Sequence, residues 1–134
     1  MGKIPAGAWI VVADGAKARI LSNVGTVVAV SLRQEQLVEP KDLEDEGPAG
    51  RTPSESKGSY LDEATFAKQL AQRLNAAALK NEFAHLVLVA DPQTLGQMRP
   101  LLHLETIKRM VGELTKTLTN SPVADIERAL VADA

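Results

Sequence analysis

The chain has 134 residues, 45% of them hydrophobic and 24% charged, the size and balance of one domain able to bury a core. Its formal charge of -2 gives no electrostatic footprint for nucleic acid, which normally needs a basic stripe, and no DNA partner is expected. The absence of cysteine excludes disulfides, thiolate metal sites and thiol nucleophiles.

Ala8-Trp9-Ile10-Val11-Val12-Ala13 is a continuous apolar run and predicts a strand covered on both faces, with Trp9 and Val11 buried. Asp14-Gly15 follows as a hairpin turn, because Gly accepts positive φ at no steric cost. A second strand over 17–22 places Ala18 and Ile20 on one side and Lys17, Arg19 and Leu21 on the other. Asn23-Val24-Gly25 reads as the next turn, and 26–36 as a third, Val-rich strand. Residues 39–59 carry six acids against three bases, three Pro, three Gly, and only Leu43 and Ala49 as apolar side chains. Such a segment buries too little surface to offset its ordering entropy, and reads as a flexible loop of the kind that carries function.

A helix is expected over 60–81, capped by Ser59 and Asp62. Its apolar stripe is Phe66, Ala67, Leu70, Leu74, Ala77 and Ala78, with Lys68, Gln72 and Asn75 pointing elsewhere. Leu86-Val87-Leu88-Val89-Ala90 is a second fully buried strand. Asp91-Pro92 starts another helix as N-cap and first helical residue, with Leu95, Met98, Leu101 and Leu102 on its buried side. Residues 107–117 read as a strand, and Ser121-Pro122 opens a last helix whose Val123, Ile126 and Leu130 share a face. Three meander strands followed by helix, strand, helix, strand, helix is the order of ribonuclease H-like domains. The expected fold is therefore a three-layer α/β domain spanning 1–134, a mixed five-stranded sheet with helices on both faces and a flexible loop at 39–59. Residues 1–7 lack the apolar region of a signal peptide, and no run approaches the roughly 20 residues that span a bilayer. A cytoplasmic protein with no membrane partner is expected.

Three constellations bear on chemistry. Asp14, Glu63 (or Asp62) and Asp91 fall where ribonuclease H-like nucleases carry metal-binding carboxylates. Each also has a structural reading, as turn residue, helix start and N-cap, and these readings are preferred. The free N–H groups at Asp91-Pro92 suit an anion, but no Gly-rich phosphate loop precedes them. His85 and His103 lack partners at metal-ligand spacing, and no Ser lies in a nucleophile elbow. No cofactor is implied. Arg99, Lys108 and Arg109 are the nearest approach to a basic cluster; on a mildly acidic chain with four aromatic residues they read first as a solvated face, the alternative being a local patch that touches structured RNA through shape and phosphate contacts.

Three segments together resemble a known family: Trp9-Ile10-Val11-Val12-Ala13-Asp14-Gly15 with Ala18-Arg19-Ile20-Leu21; Leu86-Val87-Leu88-Val89-Ala90-Asp91-Pro92-Gln93-Thr94-Leu95-Gly96; and Leu118-Thr119-Asn120-Ser121-Pro122 with Asp125-Ile126-Glu127. In order and spacing they are similar to the bacterial host-attachment proteins, grouped with relatives of the release-factor and Pelota middle domain. The resemblance covers nearly the whole chain and implies the same sheet. It implies a role near the ribosome by analogy, and an attachment phenotype. In release factors the loop between the third strand and first helix carries Gly-Gly-Gln, which positions the hydrolytic water. The corresponding segment here holds Gly47-Pro48-Ala49-Gly50-Arg51-Thr52 and no Gln. Gly50-Arg51-Thr52 matches a Gly-Arg-hydroxyl motif frequent in the family, whereas the His-containing basic stretch that follows it is shortened or missing. The expectation is a non-enzymatic binding domain whose contacts are Gly50, Arg51, Thr52, Arg99, Lys108 and Arg109, its partner a ribosome or RNA–protein complex. The alternatives are a metal-dependent nuclease or divergent peptidyl-tRNA hydrolase, and a protein-interaction module acting indirectly in attachment. No homo-oligomeric state is implied.

Overall fold

The computed structural model describes residues 3–43 and 59–133, with backbone alone over 59–64. Five strands form one sheet: β1 (Trp9–Ala13), β2 (Ala18–Asn23), β3 (Leu32–Val38), β4 (Leu86–Ala90) and β5 (Met110–Thr115). Their spatial order is β3-β2-β1-β4-β5, with β1, β2 and β3 antiparallel neighbours and β1, β4 and β5 parallel. The helices are α1 (Pro40–Leu43), α2 (Ser59–Leu79), α3 (Pro92–Met98), α4 (Leu104–Arg109) and α5 (Val123–Asp133). This is the three-layer, ribonuclease H-like arrangement that the element order predicts.

Alternation along the central strands divides the core between the two sheet faces. Val11, Ala13, Leu86, Leu88 and Ala90 pack with Phe66, Leu70 and Leu74 of α2 and Leu95 and Met98 of α3. Ile10, Val12, Val87, Val89 and Leu114 pack with Ile126 and Leu130 of α5. β1 and β4 are buried on both faces, which is why each reads as an unbroken apolar run. The β2 alternation also follows its sequence pattern: Ala18 and Ile20 join the α2 side, and Leu21 the α5 side. Trp9, expected to be buried, is only partly so and sets its ring 5.0 Å from that of Phe83, tilted by 41°, at the amino end of β1.

Five local expectations need correcting. The third strand begins at Leu32, not at residue 26, because Asn23 organises a longer turn. Its Oδ1 accepts from the backbone N–H of Gly25 and Ser31, and its Nδ2 donates to the carbonyls of Ile4, Pro5 and Thr26. Val28 stands 91% exposed at the turn's tip, so a valine-rich stretch has been spent on a loop. Residues 107–117 are split between the end of α4 and β5, and Leu101 is exposed in a 3-10 turn that Pro100 enforces after α3. Asn75 lies inside: its Oδ1 accepts from His103 N at 2.9 Å and Thr106 Oγ1 at 2.7 Å, and its Nδ2 donates to Leu101 O. It thereby fastens the α3–α4 connection to α2. Of the expected loop, 39–43 contains α1, whose Leu43 is fully buried, and 44–58 lies outside the described residues. The Ser59–Asp62 cap also falls outside the described side chains.

Candidate functional site

β1 and β4 are parallel neighbours, paired Ala13 with Ala90 at their carboxyl ends. Beyond that point the chain turns from β1 back to β2 and from β4 into α3. Strand ends that part in opposite directions leave a crevice, the usual ligand position in open α/β sheets. Here the crevice is a cleft of about 390 Å³ lined by Asp14, Gly15, Ala16, Asp91, Gln93, Thr94, Gln97 and Thr117. Two acids singled out in the sequence thus meet at one site.

Each acid is already occupied. Asp14 Oδ1 accepts from the backbone N–H of Ala16 at 2.7 Å and Lys17 at 2.9 Å, closing the hairpin turn. Its Oδ2 accepts from Thr119 Oγ1 at 2.6 Å. Burial alone would raise the Asp14 pKa, but the hydrogen bonds from Thr119, Ala16 and Lys17 and the Lys17 ammonium together hold it below its ordinary value. Asp91 caps α3, with Oδ2 accepting from Thr94 N at 3.1 Å and Oδ1 from Thr94 Oγ1 at 2.7 Å. Glu63 lies in α2, and its side chain is outside the described residues. Among the described residues no group of three His, Cys, Asp or Glu is placed to hold a metal ion. What remains open to a ligand is polar and uncharged: the amides of Gln93 and Gln97, one helical turn apart on α3, and Thr117. Gln97 Oε1 is buried in this setting with no hydrogen-bond partner.

The Asp14–Thr119 contact belongs to a larger join. Lys17 Nζ donates to Asn120 Oδ1, and Arg19 donates to the carbonyls of Thr119 and Ser121. Glu127 of α5 accepts from Leu32 N at the start of β3. The first and third of the resembling segments therefore touch each other across about a hundred residues of chain, and the second supplies the cleft's other wall. Thr119 was missed in the sequence because nothing local marks a hydroxyl as the partner of an acid so distant.

Each of the three basic residues singled out in the sequence faces a carboxylate. Arg99 is held by Glu113 of β5 through Nε and NH2, the latter at 2.6 Å. Arg109 lies half-buried against the turn after α2, donating to Phe83 O at 2.7 Å, to Asn81 Oδ1 and to Glu105. Asn81 takes φ 60° and ends α2, with Glu82 N returning to Ala77 O at 2.9 Å. Lys108 shares Glu105 at 3.8 Å. Arg109 is a clamp on a helix end, and Arg99 has its donors directed to a carboxylate. Gly50, Arg51 and Thr52 lie outside the described residues. Among the described residues no helix is long and apolar enough to cross a membrane.

Among curated proteins no match to the sequence is found. A family model, however, matches residues 7–130, which takes in the whole sheet, the cleft and most of α5. The chain belongs to bacterial archaeo-eukaryotic release factor family 12.

Proposed function

We propose that the protein is a translation-associated binding domain that docks on the ribosome or another RNA–protein assembly and performs no hydrolysis of its own. The family match over 7–130 is the observation that carries this reading. Segment 39–59 supports it by position. Val38 at the end of β3 pairs with Ala18, beside the Asp14 turn, so the chain enters the segment at the cleft end of the sheet. It returns at the start of α2, whose 21 residues measure about 31 Å against about 17 Å for a five-residue strand. Gly50, Arg51 and Thr52 thus belong to the connection in which release factors carry Gly-Gly-Gln, and Arg51 offers a fixed fork of donors for phosphate or carboxylate. The lack of any Gln in that connection argues against shared hydrolysis. An attachment phenotype, as in the host-attachment proteins it resembles, would follow indirectly from altered translation. The test is co-sedimentation with ribosomes from lysate, with and without puromycin. The protein should pellet with ribosomal particles, and Arg51→Ala should shift it toward the supernatant. Intact protein that stays in the supernatant throughout overturns the reading.

A second reading, a metal-dependent nuclease or divergent peptidyl-tRNA hydrolase, draws support from Asp14 and Asp91 lining one cleft. Manganese-dependent cleavage of RNA or peptidyl-tRNA that Asp14→Asn abolishes would establish it.

A further inference from the structure

We infer that the outward face of α2, through Lys68, Arg73 and Lys80, is the surface that receives an RNA sugar-phosphate backbone. This deepens the proposed ribosomal role and rests on it. The bases elsewhere in the structure are largely spoken for: Arg33, Lys41, Arg99, Lys108, Arg109 and Arg128 each face a carboxylate within ion-pair reach. The cations of α2 differ. From Thr65 to Leu79 the helix contains no acid, and no residue three or four positions from Lys68, Arg73 or Lys80 is acidic. Among the described residues none of the three makes an ion pair.

Arg73 and Lys80, seven residues apart, lie along one edge of the exposed side of α2, and Lys68 lies about 140° round on its other edge, the three spanning about 18 Å of helix. The core-facing stripe is Phe66, Leu70 and Leu74, with Arg73 bordering it seven residues after Phe66 and Lys68 on its far side. Between the cations sit Gln72 and Ala76, both exposed, an amide donor and a small residue that lets a backbone approach. Arg73 and Lys80 also wall a recess of about 150 Å³ with Glu82, which offsets part of their charge without pairing to either. Lys80 has a further role near the α2 carboxyl end, where a cation suits the helix dipole. No such account covers Lys68 or Arg73, which stand in the middle of the helix. Three cations without an ion-pair partner, against Glu82 alone, are complementary to phosphate on a chain of net charge -2, and the amide suits phosphate oxygens and 2′-hydroxyls. RNA read by shape needs no aromatic platform, in keeping with a helix face that has none exposed among its described side chains.

The experiment measures binding of full-length protein to a labelled 16-base-pair RNA duplex by fluorescence anisotropy between 50 and 200 mM salt. Ribosome co-sedimentation is run beside it. Three phosphate contacts give a slope of log K against log salt of about -2.7, and each neutralised cation should remove about 0.9. The Lys68→Gln, Arg73→Gln, Lys80→Gln triple variant should therefore bind at least about tenfold more weakly with a nearly flat salt dependence, its melting temperature unchanged. Arg99→Gln with Lys108→Gln should match the parent. If the parent binds duplex and the triple variant binds equally well, the α2 assignment falls and the ribosomal role stands. If the parent pellets with ribosomes but ignores duplex, its partner there is protein, and the assignment again falls. If the parent does neither, the assignment and the proposed function fall together.

Discussion

Replacing Thr119 by Val removes the hydroxyl that donates to Asp14 Oδ2 at 2.6 Å and keeps the side chain's shape; replacing Asp14 by Asn removes the charge it meets. A double-mutant cycle over these two positions measures whether the cleft acid is committed to the fold. Hydrogen bonds to a charged group contribute about 1.5–3 kcal/mol when protected from water. Asp14 is half-buried, so solvent screening reduces the expected coupling to about 1 kcal/mol at pH 7. The sign of its pH dependence follows from the depressed pKa. The stabilisation is present above the ordinary carboxylate value of 3.8 and is lost as pH falls through the lower folded value. Thr119→Val should move the Asp14 titration upward toward 3.8, so acid destabilisation sets in at higher pH. Urea melts of the four proteins at pH 7 and at low pH, with an NMR titration of the Asp14 carboxyl, provide the readout. Manganese added to the wild type should leave the melting temperature where it is, since a ligand at a hundredfold excess over its dissociation constant adds about 2.7 kcal/mol. Zero coupling at pH 7, together with a manganese shift that Asp14→Asn abolishes, would refute the structural account of this acid.

Three further substitutions test the packing. Val87→Ala and Val89→Ala, both fully buried between β4 and α5, should each cost about 1–3 kcal/mol in urea melts. Asn75→Leu leaves His103 N–H, the Thr106 hydroxyl and Leu101 C=O without their partner, and should cost about 2–4 kcal/mol, with hydrogen exchange at His103 accelerating first. Gly25→Ala would set a Cβ 2.2 Å from Ala29 O and 2.9 Å from Ser31 N, so the 24–31 turn must shift, at about 1–3 kcal/mol of stability.

Most of the fold is legible because its signals are local. The apolar runs of β1 and β4, the Asp14-Gly15 turn, the Asp91-Pro92 start and the stripe of α2 each lie within a window of a few residues. The failures come where distant groups override local preference. Thr26 to Val30 has the composition of a strand, yet Asn23 reaches forward to Gly25, Thr26 and Ser31 and back to Ile4 and Pro5, and holds those residues in a turn. Asn75 looks like a surface amide because its polarity suggests solvent. Its position between Ala71 and Ala78 already borders the buried stripe, and the three groups it satisfies lie 26 to 31 residues away.

The site divides along the same line. That Asp14 and Asp91 end up in one cleft follows from strand order alone, since β1 and β4 are neighbours and both acids directly follow their strands. What those acids are free to do is decided by Thr119 and Thr94, one of them visible three residues away and the other 105 residues away. The cations show the same limit more sharply. Arg99, Lys108 and Arg109 stand close in sequence, yet Arg99 faces Glu113 of β5 whereas Lys108 and Arg109 share Glu105 of their own helix. Lys68, Arg73 and Lys80 look diluted along a helix, yet the 3.6-residue period sets them along the two edges of its exposed side, with Glu82 near two of them and no acid at three or four positions from any. A net charge is a sum over the chain, whereas phosphate responds to the few cations whose charge nothing nearby cancels. A near-neutral protein can therefore hold RNA through one helix face, and the salt slope of its binding, rather than its isoelectric point, reports how many contacts it makes.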